Sequence, residues 1–144
     1  MGRARVHPVA LGLLLISLLA CARADERKPE PLKLIFVGDV LLAGYAGRIM
    51  LKQGTAYPFA KTQPILTKAD LAFCNLECAL SGKVVTRNVR RGKRKWFCFR
   101  TPPRLGKALV DGGIDVVSLA NNHATNGGRA GVLTTMSTLK SLGV

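Results

Sequence analysis

Asp39, Glu77, Asn122 and His123 are the residues of this chain whose types could act together on a substrate. Two carboxylates, an amide oxygen and an imidazole nitrogen form a donor set suited to one or two divalent cations of the Mn, Mg or Fe kind. A carboxylate shared between two such ions would clamp both oxygens of a phosphoryl displacement. His123 would then stand beside the leaving group as general acid, or contact a phosphate oxygen. Arg100 would neutralise negative charge on the substrate. Each residue also has a plainer reading. Asp39, directly after Gly38, can cap a following helix, and Asn121 and Asn122 can occupy turns at positive φ. What separates the set from scattered polar residues is where each falls in its segment.

The run 32–37 (LKLIFV) is apolar and rich in strand formers, which predicts a buried strand ending at Gly38-Asp39. A second strand is expected over 69–78 (ADLAFCNLEC), with Asn75 and Glu77 near its end. A third is expected over 114–120 (IDVVSLA), followed at once by Asn121, Asn122 and His123. Helices are predicted over 43–53, stopped by Gly54, over 58–68, and over 103–111, from a proline start to the Gly112-Gly113 stop. A last helix is predicted over 127–142, where Val132, Met136, Leu139 and Leu142 form an apolar stripe. Residues 81–95 read as a basic loop, and 96–99 (WFCF) as a short aromatic strand or hairpin arm. Continuous apolar strands separated by helices indicate an α/β fold with a parallel sheet. Ligands of such sheets bind outside the carboxyl ends of the strands. All three predicted strand ends are polar, so Asp39, Glu77, Asn122 and His123 are expected along one edge. Three parallel strands make a thin sheet. A further strand is therefore expected after Val144, and the chain reads as a truncated domain.

Arg3 and Arg5 precede a twelve-residue apolar run, 9–20 (VALGLLLISLLA). It is too short for a bilayer-spanning helix, which takes about 20 residues, and suits a secretory signal. Ala22-Arg23-Ala24 fits cleavage before Asp25. Leu18-Leu19-Ala20-Cys21 resembles a bacterial lipobox that would lipidate Cys21, although Leu19 matches that box poorly. Either way the chain is expected to be exported to the cell envelope, the periplasm or the extracellular space. The organisation expected is a signal over 1–24 (or ending before Cys21), a linker over 25–31 (DERKPEP) and a domain over 32–144.

Beyond the signal, 19 basic residues face 8 acidic ones, a net charge of +11. Nine of the basic residues lie between Lys83 and Arg104, with no acid among them. Such a run draws polyanions. Because an exported protein rarely meets nucleic acid, an anionic extracellular polymer or anionic lipid headgroups are the expected partners; the run also reads as a solvated basic loop. A Cys74–Cys98 or Cys78–Cys98 disulfide would suit an oxidising compartment. Cys74 and Cys78, four apart and so on one face of a strand, also read as small core residues. Their spacing is not that of a zinc knuckle.

The segments "FVGDVLLAG", "ADLAFCNLE", "FCFRTPP" and "GIDVVSLANNHATNGG", with the closing helix, stand in an order and spacing that resembles the CapA family of capsule synthesis proteins, also called poly-γ-glutamate synthesis proteins. That family is similar in fold to the calcineurin-like metallophosphoesterases. The resemblance covers residues 32–144. It implies a layered α/β metallophosphoesterase-type fold, of which this chain carries the N-terminal half. It implies Asp39, Glu77 and Asn122 as ligands of a divalent metal (Mn, Mg or Fe) and His123 as the catalytic residue near the phosphate. Asn75 and Asn121, from the family's Asn-x-Glu and Asn-Asn-His motifs, join Arg100 as expected substrate contacts. The implied role is making or moving an anionic, polyglutamate-like polymer, held by the basic run, within a membrane synthesis complex. Two departures stand out. Asn126 occupies a position where the family usually has an acid. The histidine-rich motif of the family's second half has no counterpart, since His7 and His123 are the only histidines. The readings that follow are a capsule-polymer protein with a metallophosphatase-like site, a metal-dependent phosphoesterase of another substrate, and a truncated, inactive member.

Overall fold

The computed structural model describes residues 30–91 and 94–144; the signal, Cys21 and most of the linker lie outside the described residues. The strands are β1 (Leu34–Val40), β2 (Leu71–Leu76), β3 (Ala79–Leu80), β4 (Val85–Arg91), β5 (Arg94–Thr101) and β6 (Val116–Ser118). The helices are α1 (Gly44–Gln53), α2 (Gln63–Leu66), α3 (Lys107–Gly112) and α4 (Gly128–Leu142). Short 3-10 turns occupy Tyr57–Phe59, Pro103–Gly106 and Ala124–Gly127. β2 lies between β1 and β6 in a parallel sheet. In a second sheet β5 lies between β3, which is parallel to it, and β4, which is antiparallel. This is the mixed α/β architecture that the alternation of apolar strands and helices indicates.

The pleat of β2 builds the core. Ala72, Cys74 and Leu76 are buried, while Leu71, Phe73 and Asn75 between them are half-exposed. Leu42, Met50, Phe59, Leu66, Leu109 and Leu139 join the buried row in one cluster. Burying each such side chain stabilises the fold by about 1.5–3 kcal/mol. α3 ends where the sequence places its stop, with Gly113 at φ 78° as a left-handed C-cap. Thr135 ties α4 to the second sheet. Its hydroxyl is fully buried, donates to the Gly131 carbonyl at 2.8 Å and accepts the Leu80 N–H at 2.9 Å. Thr135→Val keeps the shape and removes the acceptor, leaving a buried N–H unpaired. Urea unfolding should show a loss of about 1–3 kcal/mol with an unchanged m-value.

Three expectations change. Residues 81–95 are not a loop. Val85–Arg91 pairs antiparallel with β5 from Val85↔Arg100 to Arg91↔Arg94. Val84, Val85, Thr86 and Val89 carry the strand propensity, and the charges among them suit an edge strand, where they oppose unwanted pairing. The helix expected over 58–68 is a 3-10 turn followed by the single-turn α2. β1 is not buried. Phe36 is 67% exposed and Val116 40%, and the register sets Phe36, Phe73 and Val116 side by side. No described element covers that face. The continuous apolar character of β1 therefore does not correspond to burial on both sides.

Candidate functional site

The site begins with a bulge. Phe36 lies opposite Phe73, but Asp39 lies opposite Asn75, so β1 holds one residue more than β2 over this stretch. The extra residue falls at Val37-Gly38, where a Cβ on Gly38 would meet nothing within 4 Å. Bulges re-aim side chains, and this one brings Asp39 level with Asn75. Asn75 Nδ2 donates one hydrogen to Asp39 Oδ1 at 2.8 Å and the other to Glu77 Oε2 at 2.7 Å. One amide thus holds two carboxylates from different strand ends, and each keeps a second oxygen outside these bonds.

The turn after β6 is held against the same point. Asn121 Nδ2 donates to Asn75 Oδ1 at 2.9 Å and to the Leu76 carbonyl at 3.0 Å. Asn121 Oδ1 accepts the N–H groups of His123 and Ala124, both at 2.9 Å, an Asx-type turn. His123 Nε2 reaches to 3.8 Å from Glu77 Oε1, with both side chains mostly buried. Asp39 does not cap the following helix, and the asparagines make their turn without positive φ. Ala43 is the N-cap of α1, with no side-chain cap bond. Among the described residues only glycines have positive φ.

The strand ends therefore bring Asp39, Asn75, Glu77, Asn121 and His123 together. Asn75 and Asn121 spend both amide hydrogens inside the cluster, which makes them braces. Asn122 is exposed, outside the hydrogen bonds that tie the cluster together. Arg100 is not part of the cluster. Neighbouring residues of a strand point to opposite faces, and Phe99 is the one facing His123. The Arg100 guanidinium lies by the Ser81-Gly82 turn, 3.8 Å from where a Cβ on Gly82 would stand.

Phe99 has no role of its own in the sequence reading, and Asn126 enters it only as a departure from the family's acid. Phe99 packs its ring 4.3 Å from the imidazole of His123, at 46°, and Phe97 continues the stack at 6.0 Å. Asn126 Oδ1 accepts the Phe99 N–H at 2.6 Å and lies 3.0 Å from His123 Nδ1. The alternation Phe97-Cys98-Phe99 is the sequence signal that could have placed two rings on one face. Asp39 also borders an open apolar groove of about 380 Å³ lined by Val37, Phe59, Ile65 and Leu66. A hollow of about 620 Å³ near Thr55, Lys107 and Asp111 is lined by none of the cluster residues.

The donor chemistry of the cluster fits a hard divalent cation. Such ions are commonly held by one or two carboxylates and keep their remaining positions for water and substrate, and hydrogen bonds that orient the carboxylates are part of such sites. Among the described residues no group of three or more His, Cys, Asp and Glu is placed to hold a metal ion.

Cys74, Cys78 and Cys98 are free thiols. Burial pushes Cys74 up to about 11 and Cys78 up to about 12. Because the thiolate is the reactive form, Cys98, which is only half-buried, should be the first of the three labelled by a disulfide reagent on the native protein. Cys74 and Cys78 should react only on unfolding. Mass mapping of the labelled peptides checks this.

Comparison with known proteins places these features. The family model described as bacterial capsule synthesis protein PGA_cap matches residues 33–144, the span that contains every residue of the cluster. The capsule biosynthesis protein CapA of Bacillus anthracis is 28% identical over 123 residues, covering 84% of this chain. The chain corresponds to 29% of the length of that relative. With the α/β sheet, its polar strand ends and the matched span in agreement, the chain belongs to the bacterial capsule synthesis protein family PGA_cap.

Proposed function

We propose that the chain acts outside the cytoplasm in making or moving an anionic, polyglutamate-like capsule polymer, with the strand-end cluster as a cation-assisted, phosphoesterase-like site. The observation that carries this reading is the single amide of Asn75 holding Asp39 and Glu77 together within reach of His123. Asp39, Glu77 and Asn122 would hold the cation, of the Mn, Mg or Fe type. When bound it would supply Lewis-acid polarisation of an ester or phosphoryl oxygen. Asn75 fixes the spacing of the carboxylates, Asn121 fixes the turn carrying His123, and Phe99 limits the approach of water to the ring. Export by the signal over 1–24, with or without lipid on Cys21, and membrane synthesis partners belong to the same proposal.

The β4–β5 hairpin supports the polymer partner. Arg90 pairs with Lys95 and Arg91 with Arg94 in its register, and β5 runs from there to Phe99 beside His123. A polyanion attracted to the hairpin is thereby led toward the cluster. Immobilised polyglutamate should retain the protein at about 0.05 M salt and lose it at about 0.5 M, because exposed charges are screened over a shorter range. Retention that ignores salt, or no retention, would remove the polymer from the reading. The second reading, hydrolysis of another phosphoester, is favoured by the carboxylate pair itself, whose residues lie outside the hairpin. An inactive family member would show neither activity nor cation uptake.

A further inference from the structure

The orientation of Asn126 fixes the chemistry of His123. Its side-chain atom 2.6 Å from the Phe99 N–H must be an acceptor, because a backbone N–H only donates. That atom is therefore the amide oxygen. The same oxygen lies 3.0 Å from His123 Nδ1. An amide oxygen cannot donate, so Nδ1 carries the hydrogen. In a neutral imidazole the other nitrogen then holds a lone pair. That nitrogen, Nε2, faces Glu77 Oε1 across 3.8 Å, beyond hydrogen-bond length. Two electron-rich atoms facing each other without a proton between them suit a cation or a hydrogen donor, not a carboxylate alone.

The imidazole has little freedom to escape this arrangement. The Phe99 ring packs against it, Asn121 holds its backbone N–H, and Asn126 N–H returns to the His123 carbonyl at 3.0 Å. We propose that Asn126 is a positioning residue that clamps His123 as its Nδ1–H tautomer and turns a bare Nε2 toward the carboxylate pair. In its neutral form His123 then offers the site the Nε2 lone pair, and the hydrogen stays on the Asn126 side of the ring. The role at the site rests on the proposed function; the tautomer itself does not.

The test is a long-range proton–nitrogen correlation spectrum of the nitrogen-15-labelled full chain at about pH 8.5, above the ordinary imidazole range. The only histidines are His7 and His123, and His7→Gln assigns them. The expected result is His123 with a protonated Nδ1 and a bare Nε2. Asn126→Asp keeps the acceptor and should keep that pattern. Asn126→Ala should relax it toward the mixture of a free imidazole, in which Nε2–H predominates. A wild-type His123 carrying its hydrogen mainly on Nε2 would overturn the proposal, whether or not any variant folds. So would an unchanged pattern in a folded Asn126→Ala protein. The readout needs neither cation nor substrate, so a failure of the hydrolytic reading would leave it standing, and the two failures are told apart.

Discussion

Asn121→Ala should be among the most damaging single changes in this protein, while Asn122→Ala beside it should be nearly silent for stability. Asn121 makes four hydrogen bonds, two from its amide nitrogen to β2 and two from its oxygen to the turn that carries His123. All four are part-buried, and truncation strands the Leu76 carbonyl and the N–H groups of His123 and Ala124. At about 1 kcal/mol for each bond, with a further penalty where a partner stays buried, the expected loss is roughly 2–4 kcal/mol. For a domain of this size that corresponds to a fall in Tm on the order of 10 °C. Asn122 is exposed, and changes of that kind usually stay within about 0.5 kcal/mol. Calorimetry on the two variants separates brace from surface residue. Equal effects would mean that the turn is not held by Asn121.

The second large effect concerns function. Asp39→Ala should remove most of any manganese-dependent phosphoesterase activity, and Asn75→Ala should lower it by about 10–100-fold, the usual cost of losing a hydrogen bond that orients a ligand. Asn75 is informative because the proposal does not place it on the ion. Its nitrogen is shared by both carboxylates, and without it the two negative groups lose the donor that holds them together. Rates of chromogenic phosphoester hydrolysis for wild type, Asp39→Ala and Asn75→Ala, with and without manganese, give the comparison. Wild-type hydrolysis that neither substitution lowers would detach the cluster from catalysis.

The meeting of Asp39, Asn75, Glu77, Asn121 and His123 was readable because each follows an apolar run that ends in polar residues, and parallel strands must end on the same side. What the strand pattern left open was how they meet. The bulge at Val37-Gly38 is a matter of register between segments some 36 residues apart, and local composition does not report register. β4 was hidden because its charges outweigh its valines in a reading of composition, although an edge strand carries such charges readily. Charge alone points Arg100 to the site, while the pleat assigns that face to Phe99. The clamp on His123 was missed for a related reason. In the sequence Asn126 stands out only as a departure from the family's acid, and its partner is a backbone N–H 27 positions earlier. The exposed face of β1 shows the opposite limit: continuous apolar character predicts burial, but only a covering element produces it.

Asp39 and Glu77, tied by one amide, are the proposed cation site, and manganese electron paramagnetic resonance reads its occupancy. Titrating the full chain with manganese and recording the free-ion signal gives binding without a substrate. Wild type is predicted to take up the ion, and Asp39→Ala and Glu77→Gln to weaken uptake by about tenfold or more, as loss of a ligating or ligand-orienting group does. A wild-type protein that leaves the free-manganese signal untouched, or variants that bind as wild type does, would contradict it.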